Sequence, residues 1–228
     1  MQVEIWSDIA CPWCYVGKRR FEAALEAFEH RDEVRVTWRS FELDPGAPAE
    51  RVGDRAEHLA SKYGSSVEQA RAMQDQMTET AAVDGLAFHF ETARAGNTFD
   101  AHRLVHLAAA HGRQDAMKER LMRGYLSEGE LMSDHVALER LAVEVGLDAD
   151  EVRETLASDR FAAEVRDDER TASALGISAV PCFVIDRRIG APGAQPPEVL
   201  TSFLQQGWDA RSPLAVVAGG DACGPGGC

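Results

Sequence analysis

Cys11 and Cys14 lie three positions apart, where an apolar run ends and a helical pattern begins. Two thiols at this spacing can form a tight disulfide, and the N-terminus of a helix stabilises a thiolate on the first of them. Pro12 suits the first helical turn, because the N–H that proline lacks would have no intrahelical partner there. The pair predicts thiol–disulfide exchange, in which Cys11 attacks and the more deeply placed Cys14 resolves the mixed disulfide.

A zinc site is the other use of such a pair, and it requires further ligands at suitable spacing. Cys223 and Cys228 are five positions apart in a glycine-rich tail, which fits a zinc knuckle poorly. His102 and His106 are four apart and share a helix face, but the sequence offers no obvious third ligand. We therefore predict redox chemistry and no metal site.

The composition favours a soluble globular protein. The chain has 228 residues, of which 45% are hydrophobic and 27% charged, enough for one large or two small domains. Its formal charge of −14 argues against nucleic acid and anionic membranes as partners. The first residues follow a strand pattern, without the features of a signal peptide or a membrane span. We therefore expect a cytoplasmic protein whose thiols are kept reduced.

Hydrophobic periodicity predicts a β-α-β unit around the two cysteines. Val3 to Asp8 alternates as a strand, Pro12 to His30 is an amphipathic helix, and Val34 to Phe41 alternates again. The basic run Lys18 to Arg20 is expected on the solvated face of that helix. A turn-rich connector from Glu42 to Gly53 follows, and the sequence after it has no long strand pattern until residue 176.

Capping signals predict that this middle region is helical. Ser66 to Gln69 has the form of a capping box, Asn97 or Thr98 precedes an apolar helix, and Asp148 precedes another. Leu86 to Phe90 is compatible with a short strand or a loop.

Strand patterns return after the helical region. Pro181 stands at the head of the apolar run Cys182 to Ile185, where a proline cannot donate to a sheet and a cis Val180–Pro181 bond would turn the chain sharply. Ile189 to Ala191 predicts the returning strand of a hairpin, and Pro196 to Trp208 predicts a closing helix.

This order of elements resembles the thioredoxin superfamily, and the helical region resembles the insert of its DsbA-like branch. Within that branch, several segments are similar to the FrnE-like group. They are Ile5-Trp6-Ser7-Asp8, Cys11-Pro12-Trp13-Cys14-Tyr15-Val16-Gly17-Lys18-Arg19-Arg20, Trp38-Arg39-Ser40-Phe41-Glu42-Leu43-Asp44-Pro45 and Asn97-Thr98-Phe99-Asp100-Ala101-His102-Arg103-Leu104. Together the matches span residues 3 to 207.

The resemblance implies an α/β, thioredoxin-like fold with a large all-helical insert domain. Residues 1–45 and 176–211 would form the split thioredoxin-like domain, residues 46–175 the insert, and residues 212–228 a flexible tail with two cysteines. It also implies a thiol–disulfide oxidoreductase or isomerase, or an enzyme of polyketide biosynthesis.

The resemblance also suggests roles for individual residues. Pro181 would lie against the disulfide and leave the Val180 backbone free to pair with an extended substrate. Trp13 would either offer an apolar platform beside the nucleophile or pack on the insert. Asn97, Asp100 and His102 would line the cleft between the insert and the thioredoxin core, and the alternative for His102 is packing in the core or between the domains.

Two positions depart from the better-known relatives. Those relatives carry a buried acid six residues before the first cysteine, where this chain has Ile5. Asp8 is the nearest candidate for a proton relay, and its alternative role is to cap the loop. Cys182 stands where relatives often have a small polar residue, as either a third thiol near the site or a small buried hydrophobe.

The two tail cysteines leave three interpretations open. A turn through the intervening glycines and proline would bring Cys223 and Cys228 together, and the segment from Ser212 could carry them toward Cys11 as a redox relay. A local disulfide without a role and a free reduced tail are the alternatives.

Three functional classes result. The leading hypothesis is a cytoplasmic disulfide reductase or isomerase, monomeric or homodimeric, that acts on protein or small-molecule thiols and disulfides. Glutathione or thioredoxin would recycle it; no cofactor is expected, although glutathione is a candidate co-substrate. The second class is a glutathione-dependent small-molecule isomerase, but relatives of that kind typically have Ser in place of Cys11 and lack the second cysteine. The third is a chaperone-like binding module.

Overall fold

The computed structural model describes residues 1–211, so Cys223, Cys228 and the proposed relay lie outside the described residues. The elements begin with a β-α-β unit, continue with a run of helices, and end with two strands and a closing helix. They are β1 (Gln2–Ser7), α1 (Pro12–Glu26), β2 (Arg35–Ser40), α2 (Arg55–Tyr63), α3 (Val67–Val83), α4 (Phe99–Ala110), α5 (Gln114–Ser127), α6 (His135–Glu144), α7 (Ala149–Ala157), α8 (Ala162–Ala174), β3 (Cys182–Ile185), β4 (Ile189–Pro192) and α9 (Pro197–Asp209).

The strands form one mixed sheet in the order β2-β1-β3-β4. β1 and β2 are parallel and connected through α1, whereas β3 is antiparallel to both β1 and β4. Ile5 lies opposite Trp38 on one side and Phe183 on the other. This is the predicted α/β architecture, and residues 86–90, for which both a strand and a loop were possible, contain no strand.

The two faces of the sheet are covered by different helices. Successive β1 side chains point to opposite faces. Val3 and Ile5 enter the main core on the α1 side, where Phe21 of α1 stacks on Phe183 with ring centroids 5.3 Å apart. Trp6 belongs to a smaller cluster on the other face, and its indole N–H donates to the α8 carbonyl of Asp168 at 2.9 Å.

Helix α5 is anchored on the edge strand β2. An edge strand presents backbone groups that lack a neighbouring strand. The Gln114 side chain satisfies both groups of Trp38, since its oxygen accepts the Trp38 N–H and its nitrogen donates to the Trp38 carbonyl, each at 3.0 Å. The Trp38 indole N–H also donates to Asp115 at 2.9 Å. These bonds fix the rotation of α5 about its axis relative to the sheet.

The expectation of a solvated basic face on α1 is wrong. Lys18 is buried and forms ion pairs with carboxylates that include Glu119 of α5, which Arg19 also binds. Arg20 pairs with Asp84 at the end of α3. The helices between β2 and β3 pack on this side of α1, and they supply acids for the bases that the sequence pattern assigned to solvent.

Helix α2 lies largely outside the main core. It packs on α3 through Ala56, Ala60 and Ala70, which form a separate small cluster. Met77 and Ala81 then join α3 to the main core. The capping box predicted at Ser66 is confirmed, as is the Asp148 cap of α7. Among the described residues, no helix combines the length and apolarity needed to cross a membrane.

Gly17 lets the loop before β3 approach α1. A β-carbon at Gly17 would lie 2.9 Å from Cγ of Pro181 and 3.5 Å from the Phe183 ring. Carbon atoms prefer separations of about 3.5–4.0 Å. The glycine therefore permits the close packing of Pro181 on the helix that begins beside Cys11.

We predict that Gly17→Ala destabilises the protein. Alanine within a helix normally gains about 0.5–1 kcal/mol over glycine, but overpacking against a rigid proline ring costs about 1–3 kcal/mol. Urea denaturation should therefore show a net loss. Gly124→Ala is the matched control, since its β-carbon would meet the movable end of Leu141 at 3.1 Å. Equal or higher stability for Gly17→Ala would contradict the prediction.

Candidate active site

Cys11 is the N-cap of α1 and is only 5% exposed. Its carbonyl accepts the N–H of Cys14 at 3.1 Å, which closes the first turn around Pro12. Its thiol donates to the Val180 carbonyl at 3.8 Å, and the Val180–Pro181 bond is cis, as the sequence predicts. The start of α1 and the loop before β3 thus meet at the Cys11 sulfur, at a helix end that favours negative charge.

Cys14 is fully buried behind Cys11. Burial raises the pKa of the Cys14 thiol well above its ordinary value, and the adjacent Cys11 sulfur adds to the rise. The charge of Lys118 and a backbone hydrogen bond from Asp8 act in the opposite direction. Cys14 is therefore a neutral thiol at pH 7.

Asp8 connects three segments of the site. Its Oδ2 accepts the Leu43 N–H at 2.8 Å, and its Oδ1 lies 3.4 Å from the Ala10 nitrogen and 3.3 Å from Nε2 of His102. Burial opposes ionisation of Asp8, but the hydrogen bonds from His102 and the Leu43 N–H, together with the charge of Lys118, hold its pKa below the usual value. Asp8 thus makes the backbone contacts expected of a residue that caps the loop. Its role as a proton relay stays a prediction.

His102 and His106 have different partners. Burial lowers the pKa of His102, so its ring is neutral and donates from Nε2 to Asp8, leaving Nδ1 without a partner within the described residues. His106 lies 3.1 Å from both Ser40 Oγ and Asp168 Oδ2. His102 thus joins α4 to the loop after β1, and His106 joins α4 to β2 and α8.

Lys118 is a site residue that the sequence analysis missed. It is fully buried on α5, and its Nζ donates to the Ser7 carbonyl at the end of β1 at 3.1 Å. Burial lowers its pKa to about 8, while Cys14 and Asp8 act to raise it. The available signal was its position three residues before buried Leu121, on the apolar face of the helix.

A cavity of about 850 Å³ opens beside Cys11. Trp13 lines it with 46% of its surface exposed. Asn97 does not line it, contrary to the expectation: its amide nitrogen lies 3.5 Å from both Glu42 and Ala47, and its oxygen accepts the Phe99 N–H at 2.8 Å. The residue holds the connector against the start of α4.

Cys182 points away from the cysteine pair. It alternates with Phe183 along β3, so its side chain lies on the opposite face of the sheet from α1, in the cluster with Trp6. Burial raises the pKa of its thiol. Of the two alternatives for Cys182, a third thiol near the site or a small buried hydrophobe, this environment favours the hydrophobe.

Comparison with known proteins agrees with the architecture. A family model described as a DSBA-like thioredoxin domain matches residues 2–205. The chain belongs to this family. Uncharacterized protein YwbO of Bacillus subtilis (strain 168) is 26% identical over 206 residues, which cover 90% of this chain and 96% of that protein.

Two solved structures are similar to this chain. Probable DsbA oxidoreductase SCO1869 from Streptomyces coelicolor is 51% identical with a TM-score of 0.90, covering 100% of this chain and 98% of that one. Cytosolic disulfide reductase DsbM from Pseudomonas aeruginosa, solved with GSH, is 19% identical with a TM-score of 0.64, covering 92% of this chain and all of that one. The second likeness is one of fold.

We predict that Lys118→Met changes the pH dependence of stability. Between the folded pKa of about 8 and the ordinary value of 10.5, the unfolded chain binds a proton that the folded chain has released. The wild type therefore gains about 3 kcal/mol of stability relative to Lys118→Met as pH rises from 7 to 10.5. Urea denaturation of both reduced proteins at the two pH values measures this difference.

The exposed lysine Lys62 provides the control. Lys62→Met removes the same charge without releasing a buried ammonium, so its stability difference from wild type should not change in this way with pH. A Lys118→Met difference that is constant across the range would contradict the prediction.

Proposed function

We propose that this protein is a thiol–disulfide oxidoreductase that reduces or isomerises disulfides. The observation that supports this most is the asymmetry of the two thiols. Cys11 lies at a helix N-terminus and lines the cavity, whereas Cys14 is fully buried and its pKa is raised. Cys11 is therefore placed to attack a substrate disulfide, and Cys14 is placed behind it to resolve the mixed disulfide.

The reductive cycle has two exchange steps. The Cys11 thiolate attacks one sulfur of a substrate disulfide, a mixed disulfide forms, and the other substrate sulfur leaves as a thiolate that takes up a proton. Cys14 then loses its proton and attacks the Cys11 sulfur, which releases the second substrate thiol. Two electrons pass from the cysteine pair to the substrate, and a thiol reductant must restore the pair.

Lys118 assists the second step through the Ser7–Asp8 peptide group. Its ammonium binds the Ser7 carbonyl, while the backbone hydrogen bond from Asp8 lowers the pKa of Cys14. A cation on the carbonyl polarises the N–H of the same peptide group toward the developing Cys14 thiolate. The charge thereby favours resolution without exposing Cys14 to water.

The protein would act in the cytoplasm with a thiol partner and a disulfide substrate. A glutathione- or thioredoxin-type thiol would recycle the protein in the cytoplasm; glutathione as a co-substrate is supported by DsbM, a cytosolic disulfide reductase solved with GSH. The Val180 carbonyl beside Cys11 would pair with the backbone of a substrate chain, and Trp13 would contact its apolar side chains. Membership of the FrnE-like group is also part of this proposal.

Two variants separate reduction from isomerisation. Cys11→Ser should abolish both insulin reduction and the reactivation of a scrambled disulfide protein, because the attacking thiol is gone. Cys14→Ala should lower insulin reduction to the uncatalysed rate, because mixed disulfides are no longer resolved. Reactivation that persists in Cys14→Ala would identify an isomerase that needs Cys11 alone.

Cys182→Ala is the matched control, since it removes a buried thiol on the opposite face of the sheet. It should leave both activities close to those of wild type. Full activity of Cys11→Ser in either assay would overturn the proposed function.

A further inference from the structure

The cavity beside Cys11 contains positive charge that no carboxylate of residues 1–211 neutralises. The chain has 24 arginines and lysines, 38 acids and a net charge of −14. Within residues 1–211, which contain all 24, only six lack a carboxylate within 4.0 Å. Two of these six, Arg55 and Lys62, line the cavity.

Aromatic side chains hold Arg55 in place, and no acid of the described residues pairs with it. Its Nη1 donates to the Tyr125 hydroxyl at 2.5 Å, and its guanidinium lies 5.1 Å from the Phe90 ring centroid and 5.5 Å from that of Tyr125. Aromatic faces orient a guanidinium but do not cancel its charge. The group is therefore preorganised, half-buried and still able to bind an anion.

The two acids of the cavity wall, Asp44 and Asp8, are bound to other partners and do not pair with Arg55. Arg51 pairs with Asp44 at 2.7 Å, so these two charges offset each other. Asp8 is occupied by Leu43 and His102. Lys62, on the same helix as Arg55, lies over the Tyr63 ring at 5.9 Å and adds a second positive charge.

The size and lining of the cavity favour a small ligand. A volume of about 850 Å³ falls within the range of about 300–1,000 Å³ typical of small-molecule sites. Trp13, Tyr63 and Met73 line it as exposed apolar side chains that suit an aliphatic or aromatic body. In a protein whose overall charge repels anions, a local cationic wall concentrates them at the nucleophile.

We infer that Arg55, with Lys62, selects small disulfides that carry carboxylate groups and presents them to Cys11. The inference rests on the proposed function, because it names the substrate class of the same site. The carboxylate would bind the Arg55 guanidinium, the apolar body would lie on the aromatic wall, and the disulfide would reach Cys11. Arg55 is then a specificity-determining residue with no part in the exchange itself.

The test uses three small disulfides that differ in charge: dithiodipropionate, which is dianionic, its neutral analogue bis(hydroxypropyl) disulfide, and the diamine cystamine. Pre-reduced protein is mixed with each one, and oxidation of Cys11 and Cys14 is followed by quenched alkylation. The dithiol of the protein itself supplies the two electrons, each disulfide yields two thiols, and no second reductant enters the measurement.

Arg55→Gln should slow oxidation by dithiodipropionate about tenfold or more, the value of a charge-assisted hydrogen bond. Oxidation by the neutral analogue should change little, and oxidation by cystamine should be unchanged or faster. Arg55→Lys should recover much of the rate with dithiodipropionate. Arg188→Gln is the matched control, because this exposed arginine of the β3–β4 turn lies outside the cavity and should leave all three rates unchanged.

Two outcomes would overturn the inference while leaving the proposed function intact. Equal slowing of all three disulfides in Arg55→Gln would show that Arg55 only supports the fold of the cavity. No slowing with dithiodipropionate would show that Arg55 does not meet the ligand. If none of the disulfides oxidised the wild-type cysteine pair, the proposed function itself would fail.

Discussion

The site depends on a buried carboxylate, Asp8, that is kept charged. An ionised carboxylate away from water is very costly unless hydrogen bonds and opposite charge compensate it. Asp8 obtains this compensation from the Leu43 and Ala10 backbone and from His102. These partners belong to the connector after β2, the loop that leads to Cys11, and α4. The loop that carries Cys11 is therefore held in place by the hydrogen bonds of one carboxylate, whose more distant partners lie 35 and 94 positions away in the chain.

A second buried charge, that of Lys118, lies in the same region. Lys118 binds the Ser7 carbonyl at the end of β1, within a core shared by Cys14. Because Gln114 and Asp115 attach the start of α5 to Trp38, the lysine one turn further along is directed at this carbonyl. The helices between β2 and β3 thus place a positive charge near Cys14 and also form a wall of the cavity.

Local sequence patterns were sufficient for the elements that carry the thiols. The strand, the cysteine pair at the helix start, the cis bond at Pro181 and the Ser66 capping box each depend on residues close together in the chain. Periodicity did not identify the role of Lys118, whose partner Ser7 is 111 positions away, or the burial of Lys18. Such roles depend on which helix faces meet, and those contacts form only when distant segments pack.

Helix α2 has a consequence for how the protein can evolve. It carries Arg55 and Lys62 but rests on α3 through a small alanine cluster apart from the main core. Substitutions on its cavity side therefore disturb few of the contacts that keep the sheet and the cysteine pair in place. The lining of the cavity can therefore change along α2 while the segments that hold Cys11 and Cys14 stay unchanged.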